Sequence, residues 1–313
     1  MNSMRSGTWK EPEVHDVVII GGSYAGVAAA MPLARARRDV LVLDAGQRRN
    51  RSASAARGFL GQDGVDPGEV AERGKKEILA YATVSWRDEE VTSAWRAADA
   101  FVVATRSGEF QARRLVLATG VVDELPPVPG LRERWGRRVF HCPYCHGYEL
   151  NRGKLGVLAT SEHSFIQAAL VAEWAPRGDT TLFLGGEITP APEQLADLDA
   201  RVVRIERATV VEVDGGEHNA IVRVEGGRTF DLAGLFVATR MHAAGPFAAE
   251  LGCALETHPM GSFYQTDPTT KETTIRGVFA CGDAAVPAGA LPFAVADGFR
   301  AGVGAHRSLV FAS

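Results

Sequence analysis

Basic residues do not dominate this sequence. Lys and Arg number 34 against 38 Asp and Glu, for a formal net charge of -4. That balance leaves no electrostatic footprint for nucleic acid or an anionic membrane surface. No apolar run approaches the roughly 18 residues needed to span a bilayer. The stretch from Met1 to His15 is polar and has no apolar signal core, so it reads as a frayed tail rather than a secretory leader. The expected compartment is therefore the cytoplasm, where thiols are kept reduced and a disulfide tends to be catalytic. Cysteine is scarce: Cys142, Cys145, Cys253 and Cys281 are the only four, and one close pair is a redox or metal candidate rather than a structural staple. Low-complexity tracts are missing as well. What is present is 313 residues, 46% hydrophobic and 23% charged, a soluble globular profile with length enough for two domains.

Asp16-Val-Val-Ile-Ile20 is a short apolar run suited to a buried parallel strand. Gly21-Gly-Ser-Tyr-Ala-Gly26, an Ala-rich stretch to Arg38, the apolar run Val40–Leu43 and Asp44 follow. Strand, glycine turn, helix, strand and acid is how a dinucleotide fold begins. Pro32 falls inside the expected helix and should kink it. In such a turn the first glycine allows the tight bend, the second lets backbone approach a pyrophosphate, and the third lets helix and strand pack closely. Here those positions are Gly21, Ser23 and Gly26. Serine is small and its hydroxyl could donate to phosphate, so the substitution is tolerable. Asp44 stands where a ribose-binding acid is expected, but these features do not distinguish FAD from NAD.

Residues 84–120 read as alternating strands with a hairpin at Arg106-Ser-Gly108, and Leu125-Pro-Pro-Val-Pro-Gly130 marks a linker. A second strand–helix–strand unit runs through Gly156–Ala159, Phe165–Trp174 and Thr181–Leu184. Further strands fill 201–239, and a C-terminal helix begins near Pro292. The fold class is α/β with two Rossmann-like dinucleotide-binding domains.

Cys142-Pro-Tyr-Cys145 can close a small disulfide ring, and a helix N-terminus or a neighbouring base lowers such a thiolate's pKa. His141 and His146 flank it, each a proton carrier near neutral pH. Cys-x-x-Cys-His also matches a c-type haem attachment sequence, which needs an exported chain. Structural zinc would need two more ligands at suitable spacing. A catalytic disulfide is the favoured reading. Cys253 and Cys281 sit among apolar residues and read as inert core.

Taken together, Gly21–Gly26, Gly58-Phe-Leu-Gly-Gln-Asp-Gly64, Leu117-Ala-Thr-Gly120, Cys142–Cys145 and Gly277-Val-Phe-Ala-Cys-Gly-Asp283 resemble the thioredoxin reductase family in order over nearly the whole chain. The resemblance implies FAD as cofactor and a homodimer. It also implies an FAD domain of residues 1–122 and 245–313 around a central NADPH-domain-like domain, 123–244, that carries the cysteines. By the same resemblance FAD would be held by Gly21, Gly22, Ser23, Tyr24, Ala25, Gly26, Asp44, Ala45, Gln47, Arg49, Asn50, Gln62, Asp63, Val91, Ala118, Thr119, Gly120, Gly282, Asp283, Phe293 and Ala294. Cys145 would face the flavin and Cys142 would exchange with substrate. His146 takes the position of the family's acidic proton donor, and His141 is a second candidate acid or base.

The resemblance fails at the second nucleotide site. Gly156-Val-Leu-Ala-Thr-Ser-Glu162 lacks the glycines of a pyrophosphate cradle, and no arginine lies between Arg177 and Arg201, where the family places a basic cluster. NADPH is then not the expected partner. The pattern looks like the dithiol oxidases of gliotoxin and holomycin biosynthesis, which implies oxidation of a small dithiol with oxygen reduced to hydrogen peroxide. Two rivals stay open: a reductase of a thioredoxin-like protein fed by NADPH or ferredoxin, and a flavoprotein redox sensor without turnover.

Overall fold

Four consecutive apolar residues have no solvent-facing side, so Val17–Ile20 and Val40–Leu43 must be strands covered on both faces. In the computed structural model, which describes residues 14–185, 188–287 and 289–311, all eight are buried in parallel neighbours β1 (Val14–Ile20) and β2 (Val40–Leu43). Between them runs α1 (Tyr24–Arg35). Pro32 lies within it, and the helix continues to Arg35 without interruption, so its missing N–H falls near the end rather than mid-helix. Most of the presumed tail lies outside the described residues, but His15 does not fray: it is part of β1 and its Nδ1 is 2.8 Å from Asp39.

The sequence signal was silent on α2 (Pro67–Leu79), which Asp66 caps by accepting from the Gly68 and Glu69 amides. β3 (Val84–Arg87), β4 (Val91–Ala97), β5 (Ala100–Thr105) and β6 (Glu109–Leu117) follow, with the expected hairpin turn at 106–108. They join the first two in the order β3-β2-β1-β6-β5-β4, and β6 takes a seventh strand on its second half. β7 (Val121–Glu124) then leaves this sheet.

The next stretch builds a second sheet. β8 (Val139–Phe140), α3 (Pro143–His146), β9 (Leu155–Leu158), α4 (His163–Val171), β10 (Thr180–Phe183), α5 (Pro192–Ala200) and β11 (Arg204–Glu206) precede a three-stranded meander, β12 (Val210–Asp214), β13 (Ala220–Val224) and β14 (Thr229–Leu232). β15 (Gly234–Val237) returns between β9 and β8, giving the parallel order β11-β10-β9-β15-β8. This is the second doubly wound unit.

β16 (Arg240–Ala243) pairs antiparallel with β7, Met241 opposite Asp123, so the chain leaves and re-enters through adjacent strands. α6 (Phe247–Leu251) follows, and β17 (Leu255–His258) and β18 (Gly261–Tyr264) complete that small sheet in the order β17-β18-β16-β7. β19 (Val278–Ala280) is the seventh strand of the first sheet, and α7 (Leu291–Val310) closes over it. α7 lies against α1 through glycines: a Cβ at Gly298 would overlap the Ala25 carbonyl oxygen, and one at Gly302 that of Ala29.

Candidate active site

The turn after β1 is shaped by close approach. Gly21 has φ +100°, and a Cβ there would overlap the Ala118 carbonyl oxygen; one at Gly26 would overlap the carbonyl oxygen of Gly21. Gly22 donates its amide to Asp44 Oδ1 at 3.0 Å. Asp44 thus braces the glycine turn from the end of β2. Ser23 N-caps α1 without a side-chain capping bond, and no acid stands in that helix's first turn, which suits an anion at the helix start.

A cavity opens beside this turn. Ser23, Tyr24, Ala25, Gln47, Arg49, Asn50, Ala118, Thr119, Gly120, Asp283 and Ala294 line it, together with His141, Cys142, Cys145 and His146. An adjoining cleft shares Gln47, Arg49 and Thr119 and adds Gly21, Asp44, Ala45 and Val91. The two form a continuous trough from the end of β2 to the cysteines. Thr119 Oγ1 is buried there without a hydrogen-bond partner, an orphan of the kind a bound group satisfies. These features fit a dinucleotide. Gly22, Gly26 and Gly282 line neither cavity: Gly22 and Gly26 shape the turn, while Gly282 donates its amide to the buried Asp297.

Three expected cofactor residues are not brought here. Gln62 accepts from Arg73, and Asp63 accepts from the Gly58 amide within its own exposed loop. Phe293 is 57% exposed on the outer side of α7, while its neighbour Ala294 faces the cavity.

Cys142 is the N-cap of α3, with Pro143 at the first helical position and the Cys145 amide 3.3 Å from its carbonyl. The two sulfurs are thiols that hydrogen-bond each other. That bond from Cys145, opposed by burial but aided by the Cys145 and Tyr144 amides and the charge of Arg49, pushes Cys142 down to about 7. Cys145 keeps the shared proton and is pushed up, burial adding to the effect. Cys142 is therefore the thiolate of the pair. Cys253 and Cys281 are buried and raised by that burial.

His146 stacks on Phe140 with ring centroids 4.2 Å apart. Burial lowers its pKa, while the Cys142 carbonyl and Glu149 pull the other way. His141 Nδ1 is 3.3 Å from Thr239 Oγ1, which in turn is 2.7 Å from Asp123 Oδ1. Arg49 spans the site, bonding Asp123 with Nε and Nη2 at 2.8 and 2.7 Å and Asp283 with Nη1 at 2.9 Å. Asp123 and Thr239 were not visible as site residues in the sequence. They come from β7 and the end of β15, far apart along the chain, and no motif marks either.

The turn after β9 has a different character from the one after β1. Ser164, fully buried in α4, accepts from the amides of Thr160 at 3.0 Å and Ser161 at 3.4 Å. The donors that would face a phosphate are already spent on a side chain. Gly186, within the arginine-free stretch between Arg177 and Arg201, lies outside the described residues. Among the described residues no three His, Cys, Asp or Glu side chains gather as a metal site, and no helix is long and apolar enough to cross a membrane.

Residues 15–163 match the pyridine nucleotide-disulphide oxidoreductase family. Thioredoxin reductase tcpT of Claviceps purpurea is 30% identical over 94% of each chain. Among solved structures, an oxidoreductase from Agrobacterium tumefaciens is 48% identical with a TM-score of 0.91, covering 96% of this chain and all of that one. HlmI is 33% identical with a TM-score of 0.87, over 95% of this chain and 93% of its own.

Proposed function

Because the chain belongs to the thioredoxin reductase-like branch of the pyridine nucleotide-disulphide oxidoreductases, a family of FAD flavoproteins, we propose that it oxidises a small dithiol to its disulfide through Cys142 and Cys145, with oxygen as final acceptor. The net reaction is R(SH)2 + O2 → RS2 + H2O2: two S–H bonds break, one S–S bond forms, and two electrons with two protons reach oxygen. One observation carries the choice of dithiol over NADPH as electron donor: the Ser164 hydroxyl occupies the amides of the second nucleotide turn.

Gly21, Ser23, the start of α1, Asp44 and Thr119 would hold the cofactor's phosphate and ribose end, and Ala118, Gly120, Asp283 and Ala294 the part nearer the cysteines. Bound FAD supplies the two-electron acceptor that regenerates the protein disulfide and the route to oxygen. The protein's own steps are thiol exchange and proton movement. A substrate thiolate attacks the Cys142 sulfur of the oxidised pair, the S–S bond breaks, and Cys145 leaves with the electron pair. The second substrate thiolate then attacks the substrate sulfur of this mixed disulfide and releases Cys142. Cys145 faces the flavin in this reading, and His141 and His146, neutral at pH 7, accept and return the thiol protons. Residues 1–122 with 245–313, and 123–244, are taken as the two domains; the first cut falls within β7 and the second just after β16.

Anaerobic stopped-flow mixing of the yellow protein with dithiothreitol and, separately, NADPH tests this. Bleaching by the dithiol alone, followed by recovery and peroxide release on admitting air, is the expected result. Fast bleaching by NADPH would return the chain to reductases of thioredoxin-like proteins, the reading its relative's name favours.

A further inference from the structure

Thr239 has one hydroxyl proton and two polar neighbours, and the chemistry of those neighbours decides where the proton goes. It is 2% exposed. On one side is Asp123. Burial opposes its ionisation, but the bonds and charge of Arg49 prevail and hold it below the usual carboxylate range. An ionised carboxylate only accepts, so Thr239 donates to Asp123. Its oxygen is then left to accept, and the group opposite is Nδ1 of His141. The ring must carry its proton on Nδ1.

The surroundings of His141 agree. Burial, then the positive charge of Arg49, push it down to about 4, with His163 on α4 adding to the effect; Asp123 and the Val237 carbonyl act in the opposite sense. The ring is neutral at pH 7, so an Nδ1–H leaves Nε2 as a lone pair. Gln167 on α4 donates to the His141 carbonyl at 2.7 Å, fixing the backbone beside Cys142.

We propose that Thr239 and Asp123 are positioning residues for proton transfer at the cysteine pair, holding His141 in the neutral Nδ1–H tautomer so that Nε2 can take a thiol proton. The proposal rests on the thiol-exchange reading of this site. In the step itself an S–H bond breaks, its proton passes to Nε2, and the electron pair stays on sulfur. Nothing is oxidised. The imidazolium so formed is short-lived, because burial and the Arg49 charge disfavour it; the relay through Nδ1–H, the Thr239 hydroxyl and the Asp123 carboxylate offsets part of that cost.

The test uses holoenzyme with 15N-labelled histidine, His141 being assigned by comparison with His141→Gln. Wild type should show His141 as the Nδ1–H tautomer. Thr239→Val removes the acceptor while keeping the shape: the tautomer should become mixed, and the rate of flavin reduction by dithiothreitol should fall about 10- to 100-fold, within the range for general acid–base catalysis. Thr239→Ser should restore both. An Nε2–H tautomer in wild type overturns the proposal, as does a valine variant with unchanged tautomer and rate. If the valine variant fails to retain FAD, the wild-type tautomer still decides. Because that readout needs no substrate, failure of dithiol turnover would count against the proposed function and leave the tautomer assignment standing.

Discussion

Cys142 caps the four-residue helix that holds Cys145, yet the two divide a single proton unequally. With Cys142 pushed down to about 7, alkylation of the reduced enzyme by iodoacetamide should follow thiolate content. Its rate should rise about tenfold per pH unit below 7 and level off above. A midpoint near the ordinary 8.5 for free cysteine would show that the hydrogen bond from Cys145 does not lower it. Cys142→Ser and Cys145→Ser should each reduce turnover by at least ~10³-fold, as removal of a covalent participant does. They should differ in what they trap: with Cys145→Ser, Cys142 remains able to form a mixed disulfide with an added disulfide reagent, visible by intact mass. These two cysteines and their flanking histidines were legible because Cys-x-x-Cys is a local pattern with few rival uses. Asp123 and Thr239 were not. Their roles exist only once β7 and β16 pair and bring positions 123 and 239 together.

At the scale of elements, the buried parallel strands were readable because covering both faces leaves an unbroken apolar run. Helices α2 and α5 were not, since each buries almost nothing: Pro67 and Ile78 in one, Leu198 in the other. α5 carries a weak apolar periodicity, while α2 is clearly amphipathic but has few apolar side chains to mark it. The contact of α1 with α7 was also hidden, although its cause is visible in hindsight in the glycines at 298 and 302. Gly298→Ala places a methyl group against the Ala25 carbonyl. Overpacking of this kind costs about 1–3 kcal/mol. Because Ala25 and Ala294 both line the cavity proposed for FAD, the variant should lose thermal stability and FAD affinity together. A melting curve with a cofactor titration would check it; loss of one without the other would mean that the helix contact does not shape the cavity.

The whole molecule is organised around a trough that no single segment could build. Its lining comes from the glycine turn, the 47–57 loop, the end of β6, the cysteine helix and the start of α7. A ligand bound there joins these parts thermodynamically. At a free FAD concentration 100 times Kd, binding contributes about 2.7 kcal/mol, a rise of about 5–10 °C in Tm at the ~2–4 °C per kcal/mol usual for domains of this size. Calorimetry should accordingly show the apoprotein melting lower, and a melting temperature independent of added FAD would mean that FAD does not bind the folded protein. The family resemblance named part of this lining, among it Ser23, Arg49, Thr119, Asp283 and Ala294, whereas Gln62, Asp63 and Phe293 stand elsewhere, because loop course and helix facing are settled by tertiary packing.

Ser164 also has a history to tell. Its hydroxyl accepts from the amides of two half-buried residues, and losing a hydrogen bond of this kind costs about 0.5–1.5 kcal/mol. Ser164→Gly should therefore destabilise the protein without conferring NADPH binding, since Ala159, Thr160 and Glu162 still fill and charge the turn. Any descendant recovering a nucleotide there must change several positions, and the first change is penalised before the last is rewarded. On the dithiol reading proposed above, that barrier acts as a ratchet against a return to nucleotide donors.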